Sequence, residues 1–191
     1  MKVLSKGIIG VVALFSLWSC GKGTKVSKEK FIEKAEEINS NDSYKQAKFT
    51  YVLSATFADG KKENRKYASI YVKENGSWVS GSDKNDAEAD SLYYFYFDKL
   101  DPNSIESSVR FDSNLQNEKE TYYIRPFAYE YSYEATTVNT RTEIVKQNYY
   151  TYYEWDDYGY LTYLEIKDDQ KDINAKSTVR ASILKIKITY K

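Results

Sequence analysis

The sequence predicts a mainly β domain of the α+β class: a curled antiparallel sheet or half-barrel of about eight strands, packed on one amino-terminal helix. Three observations predict it. Apolar and polar residues alternate along most of the chain after residue 48, which is the period of a half-buried strand. Tyrosine supplies 20 of the 191 residues, and aromatic side chains favour pleated sheet. No helical period separates the predicted strands, which disfavours a parallel βαβ arrangement.

The first element, residues 1–19, has the pattern of a secretory signal peptide. Lys2 and Lys6 give it a positive start, and residues 7–18 form an apolar run. A membrane-spanning helix needs roughly 20 apolar residues, so this run is too short to span. A buried terminal helix is the alternative, but two glycines and the all-round apolarity fit it poorly.

The apolar run ends in Leu17-Trp18-Ser19-Cys20, which resembles the lipobox of bacterial lipoproteins. Leu17, Ser19 and Cys20 match that motif, whereas Trp18 is unusual at the permissive position. The resemblance implies cleavage before Cys20 and attachment of lipid, with acyl chains such as palmitate, to this cysteine. The alternative is an ordinary unpaired thiol.

Lipid on Cys20 would place the protein outside the cytoplasm, on the bacterial cell membrane or the outer membrane. Two or three acyl chains anchor durably, because each buried methylene contributes about 0.8 kcal/mol. We therefore expect the lipidated cysteine and a flexible tether at residues 20–26, followed by a single domain at residues 27–191.

The domain begins with a predicted amphipathic helix at residues 27–39. Ser27 can cap it, and Phe31, Ile32, Ala35 and Ile38 recur at three- and four-residue spacing to form one apolar stripe.

Period-2 alternation, separated by turn signals such as Asp59-Gly60, then predicts the strands. The run Leu92-Tyr93-Tyr94-Phe95-Tyr96-Phe97 is aromatic throughout, so we expect it to be buried on both faces or to line a cavity. The predicted strands cover residues 48–57, 66–73, 77–80, 92–97, 121–136, 140–155, 160–167 and 178–190.

This order of elements looks like that of the LolA/LppX-type lipoproteins and lipid carriers. The similarity is one of architecture over residues 27–191 and includes no diagnostic motif. It implies that residues 31–38 lie on the helix that plugs the half-barrel, and that the concave face binds lipid.

Composition excludes several classes of function. The chain has no histidine and one cysteine, which removes Ser-His and Cys-His nucleophiles, Cys/His zinc sites and internal disulfides. Lys+Arg and Asp+Glu both total 28, without the concentrated basic surface of a nucleic-acid binder. Two acid clusters, Asp156-Asp157 and Asp168-Asp169, are interpreted as residues of hairpin turns. We therefore expect no catalytic residues, metal or cofactor.

The tyrosine-rich strands leave two functions open. In the first, the protein is a non-catalytic binding module for a hydrophobic or lipid ligand held between the helix and the concave face. In the second, it is a surface protein that binds a protein, peptide or glycan through exposed tyrosines. Plain core packing explains most of the tyrosines in either case. The candidate ligand-binding residues are Phe95, Phe97, Tyr129, Tyr131 and Tyr133.

Overall fold

The computed structural model describes residues 23–38, 43–81, 99–101, 115–138 and 144–191. Within these residues, nine antiparallel strands form a single open sheet, and one short helix packs on it. This confirms the predicted fold class. The predicted signal peptide, Cys20 and the aromatic run at 92–97 lie outside the described residues.

The strands form two meanders that meet in the middle of the sheet. Their spatial order is β1-β5-β6-β7-β8-β9-β2-β3-β4, so that β9 lies between β8 and β2. The elements in chain order are β1 (Thr24–Val26), α1 (Lys28–Glu36), β2 (Gln46–Phe57), β3 (Lys62–Glu74), β4 (Ser77–Ser80), β5 (Leu115–Ile124), β6 (Phe127–Val138), β7 (Ile144–Trp155), β8 (Leu161–Asp172) and β9 (Ser177–Tyr190).

The helix α1 begins where the sequence predicts it. The Ser27 side chain accepts a hydrogen bond of 3.3 Å from the Lys30 amide and so caps the first turn. On the buried side, Phe31 packs its ring against Tyr122 and Phe127, with ring centroids 5.3 and 5.8 Å away. The helix therefore covers the part of the sheet formed by β5 and β6.

One predicted strand is in fact a hairpin. Residues 121–136 were predicted as a single strand, but β5 ends at Ile124 and β6 begins at Phe127. The turn between them is Arg125-Pro126, where Arg125 has a φ of 60°. Alternation continues through this turn, so the period alone does not show it. The proline was the available signal.

Part of the predicted flexible tether is a strand. Thr24–Val26 pair with β5 in the register Thr24↔Ile124 and Val26↔Tyr122. Gly23, with a φ of +48°, precedes this strand, and a Cβ added there would lie 2.7 Å from the Ile124 carbonyl oxygen. The ordered domain therefore begins before residue 27. A three-residue edge strand is too short for a pattern that sequence could reveal.

The two ends of the sheet are named here by their position relative to the helix. At the helix end, which includes Tyr190 and the turn after Trp155, the Leu100 amide donates to the Gly159 carbonyl at 2.7 Å. A Cβ added at Gly159 would also lie 3.4 Å from Ile38 just beyond α1. The opposite end, which we call the distal end, holds the turns that follow β2 and β8.

The core lies on one face of the sheet, which we call the inner face. Phe49, Leu164 and Ile186 are at most 1% exposed there. The face is continuous across strands, because Leu164 pairs with Ile186 and Ile186 pairs with Tyr51. Alternate residues of each strand form the opposite, outer face.

Candidate ligand-binding face

Three predicted ligand-binding residues lie together on the inner face. Tyr129, Tyr131 and Tyr133 occupy alternate positions of β6, with ring centroids 6.5 Å and 5.7 Å apart along the strand. Tyr133 also stacks on Tyr149 of β7, at 5.0 Å between centroids and 21° between ring planes. Phe95 and Phe97 lie outside the described residues.

These three tyrosines differ in burial. Tyr129 is 3% exposed and Tyr131 is 2% exposed, so both belong to the core. Tyr133 is half-buried and packs against the edge of that core. Tyr133 is therefore the most accessible of the three rings.

The buried tyrosines reach acids at the edge of the sheet. The Tyr122 and Tyr129 hydroxyls donate to Glu120 at 2.9 and 3.2 Å, and the Tyr131 hydroxyl donates to Glu118 at 3.0 Å. Burial raises the pKa of Tyr129 and of Tyr131 far above the usual value, and the neighbouring carboxylates raise both further. Both phenols therefore stay neutral at physiological pH and donate to their acids.

Towards the distal end the inner face carries a half-buried apolar surface, which we call the distal patch. Its members come from five neighbouring strands, and three of them are direct partners, because Ile166 pairs with Leu184 and Leu184 with Leu53. All of them except Tyr133 were missed as site residues from the sequence. The distal patch consists of Leu53, Tyr133, Tyr149, Ile166 and Leu184.

An acid lies beside the distal patch. Asp168 pairs with Tyr149 on one side and Ser182 on the other, and it is half-buried. Its two oxygens accept hydrogen bonds from the side-chain amides of Gln147 at 2.8 Å and Gln170 at 3.0 Å. Asp168 and Asp169 belong to β8, so the prediction that they form a turn was wrong.

The other acid cluster does form a turn. Asp156 and Asp157 follow the end of β7, and one Asp156 oxygen accepts from the amides of Tyr158 and Tyr160 at 3.0 and 2.9 Å. The other oxygen accepts from the Tyr44 hydroxyl at 3.0 Å. Asp156 therefore organises the hairpin between β7 and β8.

The outer face has a tyrosine cluster of its own. Tyr123 and Tyr150 both donate to Glu130, at 2.8 and 2.9 Å, and Tyr152 donates to Glu154 at 2.9 Å. Every tyrosine in the described part of the chain is buried or half-buried. The second hypothesis, a surface protein that binds through exposed tyrosines, requires an exposed tyrosine, and the described residues include none.

A shallow groove of about 360 Å³ also lies on the outer face at the distal end. Residues of β2, β3, β8 and β9 line it, among them Ser54, Lys62, Asp168, Asp169 and Ile183.

In the described ranges of the chain, no group of three or more His, Cys, Asp or Glu side chains could hold a metal ion. The nine-residue α1 is neither long nor apolar enough to span a bilayer, and the described part contains no other candidate.

Fold and site together define an open antiparallel sheet with an aromatic inner face. No family model matches the chain, and no curated protein matches its sequence. Among solved structures, it is similar to a LolA superfamily protein, NE2245 from Nitrosomonas europaea. The identity is 9%, the match covers 87% of this chain and 94% of that one, and the TM-score is 0.23. A likeness this low carries no argument about function.

Proposed function

We propose that this protein is a membrane-anchored extracytoplasmic lipoprotein whose domain binds a hydrophobic or lipid ligand without catalysis. The observation that carries the binding proposal is the distal patch. Its five apolar side chains are half-buried and pack against the buried core. An apolar ligand placed there would remove this surface from water, which contributes about 25 cal/mol per Å².

The proposed contact residues follow from burial. Tyr133 and Tyr149 offer ring surface to a ligand, and Leu53, Ile166 and Leu184 offer aliphatic surface. Tyr129 and Tyr131 lie behind them in the core and support the site without direct contact. This arrangement assigns the three predicted β6 tyrosines two different roles.

The anchor is proposed from the lipobox, in which Cys20 is the acceptor. Intact-mass spectrometry of protein extracted from membranes of its own host tests this step. We expect loss of residues 1–19 and the added mass of acyl chains, both absent from a Cys20→Ala variant. An unmodified wild-type chain would contradict the anchor.

Two neighbouring residues on opposite faces allow a matched test of binding. Leu184 lies in the distal patch, whereas Ile183 is 40% exposed on the outer face. We expect Leu184→Gln to weaken binding of a fluorescent acyl-chain probe about tenfold, and Ile183→Gln to leave it unchanged, since only Leu184 loses ligand contact. Circular dichroism checks that both variants are folded. Equal effects of the two substitutions would contradict an inner-face site.

A further inference from the structure

Asp168 lies where the inner face changes from apolar to polar residues, since its neighbours Gln147 and Gln170 are polar and Ile166 is apolar. It lies on the inner face of β8 between Tyr149 and Ser182, two residues beyond Ile166 of the distal patch. Within the described part of the chain, its partners are the amides of Gln147 and Gln170, and no cation forms an ion pair with it.

The next residue shows what an ordinary acid does in this strand. Asp169 is on the outer face and forms an ion pair of 3.0 Å with Lys171. A half-buried carboxylate is costly unless it is hydrogen-bonded and paired with a positive charge. The two glutamine amides fix both oxygens of Asp168 in position, but amides carry no charge. Asp168 is therefore held in place beside the distal patch. Arg180 lies on the same face through its pairing with Gln170, but within the described residues it forms no ion pair with Asp168.

A second feature next to Asp168 also favours a cation. Tyr149, its direct strand partner, stacks on Tyr133 at 5.0 Å between centroids. The faces of aromatic rings attract ammonium groups through their quadrupole. Directly paired residues have Cβ atoms about 5 Å apart, so one ammonium group can reach both the carboxylate and the ring pair.

We propose that the ligand of the inner face is an amphipathic ammonium compound. Its positively charged amine lies against Asp168 and the Tyr133–Tyr149 pair, and its apolar chain lies along Ile166, Leu184 and Leu53. This inference rests on the proposed binding function and names the ligand class for the same site.

Three probes with the same chain and different head groups test the inference: decylammonium, decanoate and decanol. Each is titrated calorimetrically into the full chain below its micelle concentration. We expect decylammonium to bind about tenfold or more tightly than decanoate, since an ionised pair is among the stronger hydrogen bonds. Asp168→Asn should remove that preference and leave decanol binding unchanged. Asp169→Asn, on the opposite face, should keep the preference.

The outcomes separate this inference from the proposed function. Equal binding of the three probes overturns the ammonium inference and leaves the hydrophobic site standing. Failure of all three probes to bind contradicts the proposed function itself. Should Asp168→Asn lose the native circular dichroism spectrum, Tyr149→Leu replaces it as the test. That variant keeps the site apolar, so we expect decylammonium binding to fall more than decanol binding, and an equal fall overturns the inference.

Discussion

On the inner face of the sheet, Tyr129 and Tyr131 are almost completely buried, and their hydroxyls donate to Glu120 and Glu118 of β5, beyond the residues of β5 that pair with β1. On the outer face, Tyr123 and Tyr150 share the single carboxylate of Glu130 and remain half-buried. Both pairs of tyrosines therefore donate hydrogen bonds to acids, and the inner-face pair is the more deeply buried. Alternation within a strand decides which face each tyrosine occupies, as the neighbours Tyr149 and Tyr150 show.

The contacts of its lysines also distinguish the outer face from the inner face. Lys167 and Lys185 both lie 3.4 Å from Glu165, and the Lys167 ammonium lies 4.9 Å from the Tyr150 ring centroid. Both lysines are about half exposed, with side-chain exposures of 47% and 50%. Exposed pairs of this kind contribute little, with a median of about 0–1 kcal/mol. Ion pairs of this kind therefore contribute little to the stability of the outer face, compared with the burial of apolar side chains on the inner face.

The largest difference between the faces should come from truncating neighbouring residues of β9. Ile186 is fully buried on the inner face, and Lys187 is exposed on the outer face. We expect Ile186→Ala to lower the free energy of unfolding by about 2–5 kcal/mol, because it leaves a cavity. Lys187→Ala should change it by about 0.5 kcal/mol or less. Urea denaturation measures both, and similar losses would show that the core is not confined to the inner face.

Removing the shared acid of the outer face should have an intermediate effect. Glu130→Ala leaves the hydroxyls of Tyr123 and Tyr150 without their acceptor, and we expect a loss of about 1–3 kcal/mol in unfolding free energy. Tyr123→Phe removes one of the two bonds and should cost about 0.5–1.5 kcal/mol. The double variant, measured in the same denaturation experiment, should lose less than the sum, because both substitutions break the same bond.

Alkaline titration should show what raises the pKa of an outer-face tyrosine. Burial, together with the hydrogen bond to Glu130 and its charge, raises the pKa of Tyr123 to about 12. A group whose pKa is raised by folding stabilises the fold fully below its unfolded pKa, near 10, and this contribution is lost as the pH rises from 10 to 12. In the Glu130→Gln variant we expect the pKa of Tyr123 to move toward 10, while the pKa of Tyr129 on the inner face stays raised. Ultraviolet absorbance of the phenolates follows the titration, and variants with each tyrosine changed to Phe assign it. An unchanged pKa for Tyr123 would mean that burial alone sets it.

The smallest effect should come from a single lysine of the outer face. Lys167→Ala removes one cation–π contact with Tyr150 and one exposed ion pair, and we expect a loss of about 0.5–1 kcal/mol. The loss should shrink in high salt, which screens exposed charges. Thermal unfolding at two salt concentrations measures it. A loss comparable to that of Ile186→Ala would show that the outer face is energetically equivalent to the core.

Sequence periodicity was sufficient for the features that depend on local alternation. It grouped Tyr129, Tyr131 and Tyr133 as candidate residues, and they do share one face. It also predicted α1 from one apolar stripe and the Ser27 cap. These features depend on residues a few positions apart, so a local sequence pattern is enough to predict them.

Features that depend on distant residues could not be predicted in this way. The pairing of β9 with β2 follows from the order of strands, about which alternation within each strand says nothing. The extent of burial could not be predicted either. Tyr131 and Tyr133 occupy equivalent positions in the alternation of β6, but Tyr131 is 2% exposed and Tyr133 is half-buried. Asp168 was misassigned because aspartate is common in turns, and only its strand partners show that it lies on the inner face.

The central place of β9 has a consequence for how the chain acquires its structure. It is synthesised after all the other strands, yet it joins β8 to β2, which lies almost the whole domain away in sequence. Until it emerges, the two meanders have no common partner and their facing edges remain unpaired. Folding dominated by such distant pairings is slow, because the chain must close a long loop before the contacts reward it. Under the export proposed above, such slow folding would leave the chain unfolded during the interval in which it crosses a membrane.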